Sequence, residues 1–213
     1  MKAVAVVAHP DDETLWVGGT ILSNPRWQWT VVSLCRGSDP DRAPKFSRAV
    51  GRLGAQGLIG DLNDGPDQAP LSGEEVEAAV LALLPQLEWD IIFTHSPFGE
   101  YTRHRRHEEV SRAVTALWAR GTLLTSDLRL FAYEDGGRQY YPRAVEQAHL
   151  QTELENGTWQ AKRRLIEDIY GFSVGSWEAG AVTRVEAFWR FGSPGEYQAW
   201  LNDRNASSLG GRH

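Results

Sequence analysis

Apolar residues fall into runs separated by polar stretches, and the runs differ in period. "AVAVVA" (3–8) is unbroken, as in a strand covered on both faces of a parallel sheet. "WQWTVVSLC" (27–35), "WDIIFTH" (89–95) and "LRLFAYE" (128–134) read as further strands, and "GLIGDL" (57–62) as a brief one. Helical spacing fills the gaps. "DDETLWVGGTILSN" (11–24) opens on Asp11 or Asp12 as a cap, with acidic residues favoured in the first turn. "KFSRAVGRLGAQ" (45–56) spaces Phe46, Val50 and Leu53 on one face. Ser72 caps a helix predicted to run to about Leu87, with Val76, Val80, Leu83 and Leu84 on one face. Another helix is predicted from about His104 to Arg120.

Strand and helix alternate through five strands. Parallel strands joined by crossover helices follow, hence an α/β fold: a doubly wound, mostly parallel sheet with helices on both faces. After residue 134 the pattern is less regular, and 135–157 carries no clear element. "TWQAKRRLIEDIYG" (158–171) reads as a helix, "AVTRVEAFWRF" (181–191) as a strand and "PGEYQAWL" (194–201) as a short helix. No repeat or linker divides the chain, so residues 1–204 are expected to form one domain and 205–213 a mobile tail.

The chain has 213 residues, 41% hydrophobic and 23% charged, which suits a folded domain with a substantial core. A net charge of −6 gives no global signal for nucleic acid or an anionic membrane. No run reaches the roughly 18 apolar residues of a membrane span, and the short N-terminal run is no signal-peptide core. The single cysteine, Cys35, sits in an apolar run and is expected to be a plain buried thiol. A soluble cytoplasmic protein is the resulting expectation.

Charge matters most where it interrupts the strands. "AHPDDE" (8–13) follows the first strand, and "THSPFGEYTRHRRHEE" (94–109) follows another. Ligands of open α/β sheets bind beyond the carboxyl ends of the strands. Four of the six histidines, His9, His95, His104 and His107, therefore fall on one predicted rim. His104 and His107 are three apart at a helix start, and His9 and Asp12 are three apart around a proline. Two histidines and a carboxylate from separate elements can form a catalytic zinc site with a place left for water. Asp11, beside Asp12, is placed to take a proton. Taken singly, the acidic triplet also reads as a helix cap, the histidine pair as a solvated helix face and the arginine run as charged surface. Spacing alone leaves those readings open.

"AHPDDETLWVGGTI" closely resembles the first motif of the PIG-L/LmbE-like deacetylases, zinc-dependent enzymes that remove N-acetyl groups from glucosamine-type sugars. "THSPFGEYTRHRRHEEV" is similar to their second motif, a glycine and often "GEY" before a His-x-x-His pair. Weaker similarity continues through "RLG" (52–54), the helix with Lys162 and "VEAFWRF" (185–191). The resemblance implies a Rossmann-like fold and a metal held by His9, Asp12 and His107. Asp11 would be the general base that activates water. His104 would be a protonated partner that stabilises the oxyanion and helps the amine leave. The metal is expected to be Zn²⁺, with Fe²⁺ accepted by the same donors. The substrate would be a small amino sugar or its conjugate. The alternatives are an amidase or esterase with a non-sugar substrate, or a catalytically weak metal-containing binding module. No nucleic-acid or membrane partner is expected, and the sequence leaves a homo-oligomer open.

Several residues depart from the family pattern. Arg105 and Arg106 stand where Pro-Asp is common, Arg103 precedes His104 in place of Gly, and Trp16 replaces a small residue. An aspartate that could orient a ligand is thus missing, leaving Glu108, Glu109 or a group from elsewhere. The three arginines suit an acidic group on the substrate, or simply pair with Glu108 and Glu109 at the surface. Trp16 would narrow the pocket, stack on a sugar or pack the core. Arg42, Lys45, Arg48, His95, Tyr101 and Arg103 are the candidate substrate contacts, His95 also reading as a satisfied structural histidine. Substrate choice is expected to lie in loops 36–44, 63–72 and 135–157.

Overall fold

The computed structural model describes residues 1–101 and 104–210. Nine strands are described: β1 (Lys2–Val7), β2 (Gln28–Cys35), β3 (Gln56–Leu62), β4 (Ile91–Thr94), β5 (Leu128–Phe131), β6 (Tyr133–Glu134), β7 (Arg143–Ala144), β8 (Leu150–Glu153) and β9 (Val185–Phe191). The helices are α1 (Asp12–Ser23), α2 (Arg42–Leu53), α3 (Gly73–Leu83), α4 (Arg105–Ala119), α5 (Asn156–Arg164), α6 (Trp177–Gly180) and α7 (Pro194–Gly210), with one π-helical turn (Leu165–Ile169) continuing α5.

Seven strands form one sheet in the order β3-β2-β1-β4-β5-β9-β8. Pairing is parallel from β3 to β5, while β9 is antiparallel to both β5 and β8. The doubly wound, mostly parallel reading therefore holds, with an antiparallel edge. Alternate residues of each strand point to opposite faces. Val4 and Val6 pack with Val76 and Val80 of α3, Val114 of α4 and Tyr197 of α7. Ala3, Ala5 and Val7 pack with Leu15 and Trp16 of α1, Phe46 of α2 and Ile166. This two-sided cover is why β1 reads as an unbroken apolar run.

Local signals set the boundaries. Ser72 accepts from the Glu75 amide and caps α3 as its sequence predicts. Gly54, at φ 75°, closes α2 in the left-handed conformation that glycine adopts freely. The segment left unassigned contains the small β6–β7 pair and β8. Residues 205–210, expected in the tail, extend α7 instead. No described helix is long and apolar enough to cross a membrane.

The topology places the site. The chain winds outward from β1 to β3 and then returns to lay β4 on the other side of β1. Between β1 and β4 the strand order reverses, and such a point leaves a crevice at the strands' carboxyl ends. His9 follows β1 and His95 follows β4, so both charged clusters meet there.

Candidate metal centre

Three atoms form the heart of the crevice. His9 Nδ1, Asp12 Oδ2 and His107 Nε2 lie 3.3 Å apart in each pairing. A tetrahedral zinc at about 2.0–2.1 Å from each donor separates its ligands by roughly 3.3–3.4 Å. The donors are also of the right chemistry, two imidazoles and a carboxylate. This set, expected from the sequence, thus fits a divalent cation. Each of the three comes from a different local structure: His9 from the end of β1, Asp12 from the first turn of α1 and His107 from the first turn of α4.

Surrounding groups fix the orientation of each donor. Trp16 Nε1 donates to Asp12 Oδ1 at 3.0 Å, which leaves Oδ2 for the triangle. Trp16 is fully buried, so it packs and orients rather than stacking on a ligand. His107 Nδ1 lies 2.7 Å from Glu100 Oε2, and Glu100 Oε1 accepts from the Ser96 amide at 2.8 Å. Glu100 therefore supplies the orienting carboxylate whose absence between the two histidines the sequence made conspicuous. His9 Nε2 lies 3.2 Å from Asp64 Oδ1. Asp64 escaped sequence reasoning altogether. Its only signal was its place in a loop following a strand.

The charges are interdependent. Burial alone would lower the pKa of His107, but Asp12 and Glu100 overcome it and push it up to about 10. Burial likewise opposes the rise at His9, which Asp12 and Asp64 carry upward. Burial raises Glu100 and Asp64, yet their histidine neighbours, with Arg36 at Asp64, hold both down at about 2. Without a cation, protons on histidine balance this ring of carboxylates; a divalent cation would displace them.

Asp11 sits beside the triangle at φ 107°, a conformation that strains a residue with a side chain. Its backbone N–H donates to Glu13 Oε2 at 3.1 Å, and Glu13 is pinned by the Thr14 and Tyr170 hydroxyls. Its carboxylate accepts from Arg42 Nη1 at 3.1 Å. Burial, reinforced by Asp12, pushes its pKa up to about 8 against the pull of Arg42. His104 precedes α4, with its ring centroid 4.8 Å from that of His9 and 4.7 Å from that of His107. Its Nδ1 is buried and has no hydrogen-bond partner among the described residues. Burial and the two neighbouring histidines push its pKa down to about 4. In the metal-free protein the ring is therefore neutral at pH 7 and offers one N–H.

A cavity of about 270 Å³ opens above these groups and is polar over most of its lining. Arg42, Tyr101 and His104 line it with Asp11, and Arg36, Asp64, Gln68, Trp177 and Glu178 join them. Other expected contacts lie elsewhere. His95 is fully buried beneath the site, stacked on His107 at 3.9 Å and accepting from the Ala8 amide at 2.9 Å. It does not line the cavity and instead lies against Asp12 and Glu100. Arg48 is exposed on α2 and does not line the cavity, and Lys45 pairs with Asp41. Arg103 lies outside the described residues. Arg106, expected at the surface or on an acidic substrate group, is fully buried instead.

The family profile described as PIG-L, GlcNAc-PI de-N-acetylase, matches residues 4–118, more than half of the chain. The protein belongs to this family. A 1D-myo-inositol 2-acetamido-2-deoxy-alpha-D-glucopyranoside deacetylase of Corynebacterium diphtheriae is 26% identical over 151 residues, covering 53% of this chain and 52% of its own. The chain thus spans about half the length of the curated relatives it matches. Among solved structures, N,N'-diacetylchitobiose deacetylase from Pyrococcus horikoshii superposes with a TM-score of 0.66 at 18% identity, over 90% of this chain and 84% of that one. The 4-carboxy-2-hydroxymuconate hydratase of Pseudomonas putida superposes at 0.61 and 15%, over 89% and 96%. A hydratase and a deacetylase thus share this fold, and the structural likeness speaks for the fold alone.

Proposed function

We propose that the protein is a metal-dependent hydrolase that removes the acetyl group from an N-acetylglucosamine-type sugar or conjugate. The observation that carries this reading is the 3.3 Å triangle of His9, Asp12 and His107 donors beside a strained, buried Asp11. Zinc suits the three donors, and ferrous iron is accepted by the same set. A cation bound there supplies Lewis acidity toward water and the amide carbonyl, and draws down the pKa of a neighbouring carboxyl.

The residues then divide the work. The Asp11 carboxylate, held by Arg42, takes a proton from the attacking water as the new C–O bond forms. His104 directs its one N–H at the developing oxyanion. As the C–N bond breaks, the proton held on Asp11 passes to the departing amine, leaving acetate and a free amino sugar. Arg36, Gln68 and Glu178 offer partners for sugar hydroxyls, and the Tyr101 and Trp177 rings, 4.6 Å apart and tilted against each other, offer an apolar face. The buried thiol of Cys35 suits a reducing cytoplasm.

The test is release of free amine from N-acetylglucosamine and its glycosides, with added Zn²⁺ and a chelator control. Chelator-sensitive release supports the reading. Hydrolysis confined to simple acyl amides would favour the non-sugar amidase, and metal binding without turnover on any amide would favour a binding module.

A further inference from the structure

Between His104, which precedes α4, and His107 in its first turn stands the pair Arg105–Arg106, and Arg106 is among the largest fully buried side chains of the described residues. A buried guanidinium needs partners for its donors, since an unpaired buried charge is strongly destabilising. Arg106 Nε donates to the Asn63 carbonyl at 2.6 Å and Nη2 to the Ala69 carbonyl at 2.9 Å. Its Nη1 pairs with Glu109 Oε2 one helical turn on. The other oxygen of Glu109 accepts from the Leu71 amide at 3.1 Å. Arg105 adds a bond to the Gln68 carbonyl. The loop after β3 is thus fastened to α4 at both ends and in its middle.

That loop carries Asp64, next to the fastened Asn63. Asp64 Oδ1 meets His9 Nε2 at 3.2 Å and accepts from Gln68 Nε2 at 2.7 Å, while Oδ2 is gripped by Arg36 at 2.7 Å. His9 has two ring nitrogens, and its Nδ1 faces Asp12 and His107. A neutral imidazole that presents a lone pair at Nδ1 must carry its proton on Nε2. A carboxylate accepting that proton selects this tautomer and fixes the ring plane, and such partners tune metal affinity.

We infer that Asp64 and Arg106 are positioning residues of the metal centre: Arg106, with Glu109, staples the loop so that Asp64 holds His9 with Nδ1 toward the cation. The motif that presents His107 also sets the ring of His9 across the crevice, through a loop that touches both. The rigid fork of Arg fastens two carbonyls six residues apart; a lysine, with its donors at one point, cannot.

This rests on the metal reading of the site but not on the identity of the substrate. The experiment is chelator-competition titration of Zn²⁺ affinity for the full chain, the variants Asp64→Asn and Arg106→Lys, and the double variant. Asp64→Asn should weaken Zn²⁺ binding about 10–100-fold, with the far-ultraviolet circular dichroism of the metal-free protein unchanged. Arg106→Lys should also weaken it. The double variant should be no weaker than Asp64→Asn alone, because Arg106 acts through Asp64. Should Arg106→Lys fail to fold, Glu109→Gln loosens the same staple and completes the same cycle. Affinity of Asp64→Asn within twofold of the parent would overturn the inference, as would losses that multiply in the double variant. Tight Zn²⁺ binding without turnover of any acetylated sugar would contradict the proposed function and leave this coupling standing.

Discussion

Replacing Asp11 by Asn separates chemistry from metal binding more cleanly than any other change in the site. Asn is isosteric, its amide oxygen can still accept from Arg42, and it tolerates positive φ better than most residues. The three metal donors are untouched. Loss of a general base costs about 10²–10⁴ in rate, or roughly 3–5 kcal/mol of barrier, so kcat should fall by that factor while bound zinc stays near one equivalent. Stability should move the other way. In the metal-free protein, burial and Asp12 raise the Asp11 pKa from 3.8 to about 8. A group whose folded pKa lies above its unfolded value contributes stability that is complete below the unfolded pKa and lost as pH rises through the folded one. The window is therefore about pH 4 to 8, and by pH 7 the loss is on the order of a few kcal/mol. Asn does not titrate, so the melting-temperature advantage of Asp11→Asn over the parent should widen between pH 5 and 8, both with chelator present. A kcat within fivefold of the parent would remove Asp11 as the base. An advantage that narrows with pH would refute the electrostatic account of its burial.

Three further expectations follow from other parts of the structure. Lys162 and Glu186 form a fully buried ion pair at 2.7 Å, and Glu186 also accepts from the Gly19 and Thr20 amides of α1. Lys162→Met leaves that carboxylate uncompensated and should cost about 3–5 kcal/mol, a fall in melting temperature on the order of 10 °C; a change below about 2 °C would contradict the role assigned to the pair. Burial pushes the Cys35 thiol up to about 12, so a disulfide reagent at pH 8 should leave it unmodified until denaturant is added, and rapid labelling of the folded protein would count against that burial. Trp177→Ala removes one ring of the tilted pair at the cavity wall and should raise KM for an acetylated sugar about 2–10-fold with kcat little changed, whereas an unaltered KM would show that the sugar does not rest there.

The metal donors were legible in the sequence because each lies in a short motif at the end of a regular element. Once the strand order brings the carboxyl ends of β1 and β4 together, His9, Asp12 and His107 have little choice of place. The partners of those donors were harder to read. Glu100 stands seven residues before His107, within a motif the sequence already marked, yet its reach back to Nδ1 depends on the turn at Ser96–Gly99. Asp64 and Arg106 could not be paired at all, since the bond between their segments exists only after the loop closes over α4. An arginine run reads as solvated surface by composition, and only the carbonyls of Asn63 and Ala69 make burial of Arg106 tolerable. For His95 the sequence left a pocket residue and a structural histidine both open, because a strand-end position does not reveal whether the side chain reaches the rim or lies against Asp12, Glu100 and Phe131, as it does in the structure. The strand β8 escaped because it is an edge strand with three exposed residues of four, lacking any apolar face to betray it.

The central claim is that His9, Asp12 and His107 together hold one divalent cation with a position left for water. X-ray absorption at the zinc edge, on protein loaded with one equivalent of Zn²⁺, tests it most directly when paired with His107→Ala. Two nitrogen scatterers and oxygen ligands at about 2.0–2.1 Å, with one imidazole contribution lost in His107→Ala, is the predicted result. A sulfur scatterer from Cys35, or a spectrum and stoichiometry unchanged by His107→Ala, would place the metal elsewhere and contradict the account.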